Sequence, residues 1–204
     1  MTTPGPDDIL LFWFGSADLR ALPSAATQKR WFTVDPAFDA ELAARFGALL
    51  DDPEAVEAWA TRAGGGGAAG TLAAILTLDQ LPRNIFRGRA RAFATDARAL
   101  RLATATVAAK LDRELGLSQR VFAYLPFEHA EDIASQNRSV ALFTALAADS
   151  EGAASYVAFA ESHRATIARF GRFPGRNAAL GRTDTPEEAA YLAEGGQTWG
   201  QASR

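Results

Sequence analysis

The chain has 204 residues, enough for one compact domain, and its composition excludes several classes of protein. Hydrophobic residues make up 48% of it and aromatic residues 10%, which favours a folded protein over a disordered one. Its formal net charge of −3 lacks the basic surplus that attracts a phosphate backbone, so we expect no nucleic-acid partner. It has no cysteine, which excludes disulfides, thiolate nucleophiles and Cys-ligated zinc.

The sequence contains no segment that indicates export or membrane insertion. The opening MTTPGPDDILLFWFG has no basic stretch ahead of its short apolar run. No window approaches the roughly 18 apolar residues that a membrane span needs. We therefore expect a cytoplasmic protein with no membrane partner, folded as a single all-helical domain over residues 1–204.

Apolar residues recur at intervals of three and four along almost the whole chain, which is typical of amphipathic helices. Asp35-Pro36, Asp52-Pro53 and Thr185-Pro186 each combine an N-cap oxygen with a proline suited to a first helical turn, and Glu188 can complete a capping box. No strand is predicted, and short loops favour antiparallel helix pairs. The predicted helices lie near 8–14, 36–50, 53–61, 70–81, 96–110, 118–124, 129–148, 151–170 and 186–194.

Four glycines at 64–67 form a predicted surface loop between two of these helices. A phosphate-binding Walker loop would need a Gly-Lys-Ser/Thr sequence there, and this is missing. No other motif indicates a bound coenzyme, so we expect no cofactor.

Three long motifs give the chain a resemblance to a known family: LDQLPRNIFRG at 78–88, YLPFEHAEDIASQ at 124–136 and RFGRFPGRNAALGRTDTPEE at 169–188. With ILLFWFG at 9–15 and WF at 31–32, the chain resembles the bacterial domain of unknown function 924 family over nearly its whole length. The resemblance implies a fold similar to tetratricopeptide-repeat proteins, with antiparallel α-helices stacked in a superhelix, and no established activity. The chain departs from the family pattern at Gly175, where many members carry His.

Several polar side chains are predicted to face the interior of their own helices. His129, Asp132 and Gln136 share one face of the helix predicted to follow Pro126. His163 and Asp79 lie on the apolar stripes of their helices, and Pro82 is expected to close or kink the helix that carries Asp79.

Buried carboxylates and imidazoles need partners, since leaving one bare costs about 1–3 kcal/mol or more. We therefore expect segments 82–88, 125–136 and 169–182 to converge on one polar site, and Asp79 to be ionised and held by an arginine. The arginines and asparagines of the family motifs can supply these partners: Arg83, Asn84, Arg87, Arg172, Arg176, Asn177 and Arg182.

Two interpretations of this site remain open. It is either a buried polar network that fixes how the loops dock, or a pocket for a small molecule. In the pocket, His129, His163 and Asp132 would be catalytic through proton transfer. The ligand would be an anion, because the inward carboxylates Asp79 and Asp132 are outnumbered by four arginines: Arg83, Arg87, Arg172 and Arg176. Its binding residues would be Asp79, Arg83, Asn84, Gln136, Arg172, Arg176 and Asn177.

Two further functions are weighed against the pocket. A tetratricopeptide-like scaffold could bind a peptide or protein in a concave groove. A metal site is a weaker hypothesis and none is expected, because the sequence has no HExxH motif and no paired Glu-x-x-His motifs. The residues of suitable type for such a site are Glu128, His129, Glu131, Asp132 and His163.

Overall fold

The structure is a computed structural model, and it describes residues 3–61 and 66–199. Within these ranges the chain is helical and forms no β-strand, as predicted. The predicted loop residues Gly64 and Gly65 lie outside the described residues, and Gly67 begins a helix. The α-helices are α1 (Pro6–Phe14), α2 (Ala25–Trp31), α3 (Pro36–Phe46), α4 (Pro53–Glu57), α5 (Gly67–Ile75), α6 (Leu81–Ile85), α7 (Asp96–Ala108), α8 (Leu117–His129), α9 (Ile133–Asp149), α10 (Ala154–Phe170) and α11 (Pro186–Ala193).

The three helix starts predicted from Asp-Pro and Thr-Pro pairs are confirmed. Asp35 caps α3 by accepting hydrogen bonds from the backbone of the first turn, and Asp52 caps α4 in the same way. At α11, the Thr185 hydroxyl accepts from the Glu188 backbone while the Glu188 carboxylate accepts from the Thr185 backbone. This capping box fixes where the chain turns into α11.

The prediction that a helix ends before Pro126 is wrong. Helix α8 runs through Pro126 to His129, and α9 begins only at Ile133, with Asp132 as its N-cap. Pro126 removes one intrahelical hydrogen bond, but it is buried in the packed interior, where a break in the helix would expose more apolar surface. His129 therefore belongs to the end of α8, not to the helix that carries Gln136.

A second proline also lies inside helical structure. One wide, π-type turn at Leu76–Gln80 follows α5, and α6 continues directly from it with Pro82 in its first turn. The helical path thus extends beyond the predicted end near 81. The π-type turn carries Asp79, and such turns are frequent at functional sites.

Helix α5 is the central helix of the fold, because it is apolar on nearly all sides. It packs against α1, α7 and α8. Helix α9 lies against both α8 and α10, which precede and follow it with short connections. The superhelical stacking that the resemblance implies stays a prediction. Within the described ranges, no helix is long and apolar enough to cross a membrane.

Aromatic rings join α1, α2 and α8 in the core. The ring of Phe122 meets Trp13 edge to face at 5.5 Å between centroids and Trp31 at 4.8 Å. Such pairs add about 0.5–1.5 kcal/mol each beyond the area they bury. This packing holds α2 and the residues after it beside α8, where they form one side of the site.

Candidate functional site

The carboxylate of Asp79 is the centre of a buried polar cluster. Asp79 is 0% exposed, which requires its charge to be neutralised by partners. It accepts a hydrogen bond from Gln80 Nε2 at 2.6 Å, and its Oδ1 lies 3.0 Å from Arg83 Nη1. Burial by itself raises the pKa of Asp79, but the charge of Arg83 and the contact with His129 hold it well below its usual range. The predicted contact between the Asp79 carboxylate and an arginine is confirmed for Arg83.

His129 is oriented by this carboxylate. Its Nδ1 atom lies 2.8 Å and 3.0 Å from the two carboxylate oxygens of Asp79. Because an ionised carboxylate only accepts, Nδ1 carries the proton, and Nε2 of the neutral ring has a free lone pair. Among the described residues Nε2 has no hydrogen-bond partner, and the ring lines a cavity. His129 is thus held as a base whose reactive nitrogen is available to a molecule in that cavity.

Arg83 and Arg176 hold the Asp79–His129 pair in position. Arg83 donates two parallel hydrogen bonds to Asp96, each 2.9 Å long, and a third to the backbone oxygen of Asp79 at 2.7 Å. Arg176 donates to the His129 backbone oxygen at 2.9 Å and lies 3.4 Å from Asp96. Segments far apart in sequence therefore meet at His129, as predicted for this part of the site.

The cavity beside His129, which we call the aromatic pocket, has a volume of about 440 Å³. This volume suits a small organic molecule. Its apolar lining is Trp31, Phe32, Val34, Leu125, Tyr156, Phe159 and Trp199. Its polar lining includes Gln80, Arg83, Asn84, Arg87, Glu128, His129 and His163.

Glu128 is a second ionisable group in the lining, next to His129 on α8. Its side chain is only 6% exposed, and its Oε1 atom lies 3.2 Å from His163 Nδ1. Burial, and then the negative charge of Asp79, raise the pKa of Glu128 to about 8. At neutral pH Glu128 is therefore protonated and can donate a proton or a hydrogen bond.

His163 is the neutral neighbour of Glu128. Its Nδ1 lies 2.9 Å from the backbone oxygen of Phe159, which can only accept, so this nitrogen carries the proton. Burial lowers the pKa of His163 to about 3. The contact between Glu128 and His163 is therefore a contact of two neutral groups at pH 7, not an ion pair.

The two histidines are both largely buried, as predicted, and are close together. Their side chains are 14% and 5% exposed, and their ring centroids are 6.4 Å apart. Burial, and then the nearby charge of Arg83, lower the pKa of His129. A neutral base and a protonated acid thus occur on adjacent residues, which is the separation of pKa values that acid–base catalysis requires.

Four of the residues predicted for the site lie elsewhere. Asp132 is exposed and caps α9 through a hydrogen bond from Ser135 N at 2.8 Å. Gln136 is buried behind the site, where Nε2 donates to the backbone oxygens of Glu128 at 2.7 Å and Ala130 at 2.8 Å. It satisfies carbonyls that the end of α8 leaves unpaired, and so positions the helix end without lining the pocket.

Arg172 and Asn177 belong to a separate polar network around Glu188. Arg172 Nε donates to Glu188 Oε1 at 2.6 Å, and Asn177 Nδ2 donates to Asp184 at 2.8 Å. Hydrogen bonds from Arg172 are the main cause that lowers the pKa of Glu188 to about 2. This network docks segment 171–185 on α11, and its residues do not line the aromatic pocket.

The predicted surplus of positive charge in the site is wrong. That prediction compared four arginines with only two carboxylates, Asp79 and Asp132. Asp39 and Asp96 also lie beside these arginines. The pairs are Arg83 with Asp79 and Asp96, Arg87 with Asp39, and Arg176 with Asp96. Three guanidinium groups (Arg83, Arg87 and Arg176) thus face three carboxylates (Asp39, Asp79 and Asp96). An anionic ligand stays a prediction, and a surplus of positive charge does not support it.

The sequence indicates Glu128 only as a possible metal ligand, not as an inward-facing acidic group, for an identifiable reason. Val121, Tyr124 and Glu128 are spaced as one face of a helix, but only if that helix continues through Pro126. Asp96 was missed because it was predicted only as the start of α7. In the described part of the chain, no group of three or more His, Asp or Glu side chains is arranged to hold a metal ion.

Comparisons with known proteins agree with the sequence motifs. A family model described as bacterial protein of unknown function (DUF924) matches residues 9–196. A solved structure, a protein of unknown function, ATU0120, from Agrobacterium tumefaciens, is similar with 39% identity and a TM-score of 0.78, covering 93% of this chain and 97% of its own. No curated protein matches.

Proposed function

The chain belongs to the DUF924 family of bacterial proteins, and we propose from its own geometry that it is an acid–base enzyme acting on a small organic molecule. The observation that carries this proposal is the orientation of His129. Its Nδ1 is held at 2.8 Å by the buried carboxylate of Asp79, while its ring lines the aromatic pocket. A base held in this way by a carboxylate is a recurrent device of proton-transfer enzymes.

In the proposed reaction His129 removes a proton from the bound molecule through Nε2. The imidazolium that forms is stabilised by Asp79, which is already ionised and desolvated. Glu128, protonated at neutral pH, donates a proton or a hydrogen bond to the atom on which negative charge develops. No co-reactant is needed for such a transfer.

The lining indicates that the substrate carries an apolar or aromatic body. Trp31, Tyr156 and Phe159 provide flat surfaces around the pocket. A polar group of the substrate would lie toward Arg83 and Asn84, which both belong to α6. We propose a carboxylate for this group, since arginine binds carboxylates through paired hydrogen bonds.

A model reaction tests the base without knowledge of the natural substrate. In the Kemp elimination of 5-nitrobenzisoxazole, a base takes the ring C–H proton while the ring N–O bond breaks, and the product is a coloured phenolate. We expect the protein to accelerate this reaction and His129→Gln to slow it by about 10²-fold or more. Leu22→Ala, at a residue that is 77% exposed and outside the pocket lining, is the control. Equal rates for wild type and His129→Gln would refute the proposal.

A second candidate function is recognition of a peptide or protein. Three apolar side chains at the mouth of the pocket are unusually exposed: Phe32 at 63%, Val34 at 56% and Phe159 at 57%. Such a rim suits one apolar side chain of a peptide inserted into the pocket. Binding of peptides with a central Phe or Trp, unaffected by His129→Gln and lost in Phe159→Ala, would favour this alternative.

A further inference from the structure

The last described residues of the chain cross the site after α11 has ended at Ala193. The backbone of Gly196 donates to the Tyr191 backbone oxygen at 2.9 Å, and the Gln197 backbone donates to the Tyr191 hydroxyl at 2.9 Å. In the described part of the chain these are the hydrogen bonds that hold residues 196–199. Among the described residues, the other contacts of this segment with the site are made by a side chain.

That side chain is Trp199, whose ring lies on the ring of His163. Their centroids are 4.1 Å apart with the planes at 32°, and the Trp199 ring meets Phe173 edge on at 5.2 Å. Trp199 has φ 44°, in the left-handed region that bulky residues rarely adopt. Such a conformation persists only where surrounding contacts hold it, and it is found most often at functional positions.

Trp199 lies between two cavities. One is the aromatic pocket of about 440 Å³, and the other is a smaller cavity of about 40 Å³ lined by Phe93, Phe173 and Gly175. Both cavities also share Arg83, His129, His163 and Trp199 in their linings. Arg83 and the two histidines are on helices in the core, so Trp199 is the shared lining residue that lies outside the helices.

Gly175 provides the space that the segment needs. A Cβ atom at this position would lie 3.1 Å from the Cα of Thr198 and 3.4 Å from the backbone oxygen of Gln197. A larger side chain would therefore push the segment away from the site. The position of Trp199 thus depends on a glycine that is distant in sequence.

We infer that Trp199 is a specificity-determining residue, the end wall that limits the length of ligand the aromatic pocket accepts. The inference rests on the pocket of the proposed function but not on proton transfer by His129. Without this ring the two cavities join beside His163, and a longer ligand fits. A larger residue at Gly175 has the same effect because it displaces the segment that carries Trp199.

Two probes of different length test this assignment: benzoate and 2-naphthoate, with dissociation constants measured by calorimetry. In Trp199→Ala and in Gly175→Val we expect the preference for 2-naphthoate over benzoate to rise about tenfold relative to wild type. Trp199→Phe, which keeps a ring, is expected to shift the preference less. Leu22→Ala, distant from the pocket, should leave it unchanged.

A second readout needs no ligand. Diethyl pyrocarbonate modifies accessible imidazoles, and peptide mass spectra separate His163 from His129. We expect modification of His163 to be clearly faster in Trp199→Ala than in wild type, since the ring that covers it is gone. The same rate at His163 in both proteins, or a preference between the two probes that Trp199→Ala leaves unchanged, would overturn the assignment.

The outcomes for the two proposals are distinct. His129→Gln removes the base, so it should slow the model elimination, whereas the rise in preference caused by Trp199→Ala should also occur when Trp199→Ala is combined with His129→Gln. If the protein has no elimination activity but Trp199→Ala still shifts the ligand preference, the proposed proton transfer is refuted and the assignment of Trp199 is supported. If neither probe binds to any variant, both the aromatic pocket as a binding site and the assignment of Trp199 are refuted.

Discussion

The Nδ1 atom of His129 lies 2.8 Å from a carboxylate oxygen of Asp79, a residue with 0% exposure. This relationship joins the end of α8 to the π-type turn after α5, so it contributes to the fold as well as to the proposed chemistry. Removal of this contact should lower the stability of the folded protein, which can be measured without a substrate.

Asp79→Asn is therefore expected to be strongly destabilising. The change leaves Arg83 and His129 without the buried charge that they contact. Breaking a buried charge pair by removing one partner costs about 3–5 kcal/mol. Thermal unfolding should show a melting temperature lower by roughly 10 °C for a chain of this size.

The control for this change is Asp149→Asn, the same substitution at a carboxylate that is 68% exposed and 3.8 Å from Arg120. Exposed pairs contribute about 0–1 kcal/mol, so its melting temperature should be close to that of wild type. Equal melting temperatures for the Asp79 and Asp149 variants would contradict a buried, ionised Asp79.

Glu128 should make stability depend on pH. Its pKa is raised to about 8 in the folded protein, so between roughly pH 5 and 8 the folded state holds a proton that the unfolded state has lost. Its contribution therefore disfavours folding increasingly as pH rises through this window, by about 1.4 kcal/mol per pH unit at most. Glu128→Gln removes this titration.

Denaturant unfolding at pH 5, 6, 7 and 8 measures the effect. The free energy of unfolding of Glu128→Gln relative to wild type should rise steadily across the series. Glu41→Gln, at a side chain that is 49% exposed, should follow the wild-type curve. A constant difference between Glu128→Gln and wild type would show that Glu128 is ionised throughout and could not serve as the acid.

The network around Glu188 should be structural and independent of the pocket. Glu188→Gln weakens the pair with Arg172 and the capping box of α11, at a cost of about 1–2 kcal/mol. The rate of the model elimination should be unchanged at a temperature where the variant is folded. If Glu188→Gln lowers the rate, Arg172 and Asn177 belong to the functional site after all.

The sequence predicted the fold class and part of the site because both depend on local patterns. Asp79 and His163 were recognised as inward-facing from the apolar residues on their own helices. Asp96, which pairs with Arg83, and Glu128, which lies beside His163, are not predicted, since neither the course of α8 through a proline nor the pairing of two distant helices is encoded in local spacing.

The role of the C-terminal segment was also beyond sequence patterns. Trp199 follows the last predicted helix in a stretch with no periodicity, and nothing local indicates that its ring meets His163. The packing of Thr198 against Gly175 brings them together, and that contact exists only in the folded chain.

The proposed role of His129 as a base is tested by the protonation state of its imidazole. The protein has only two histidines, so the spectrum of ¹⁵N-histidine-labelled protein contains two imidazoles, which His129→Gln and His163→Gln assign. At pH 7 we expect a neutral His129 with its proton on Nδ1 and a bare Nε2, because burial and Arg83 lower its pKa while Asp79 binds Nδ1. An imidazolium at pH 7, or a neutral ring with its proton on Nε2, would contradict it.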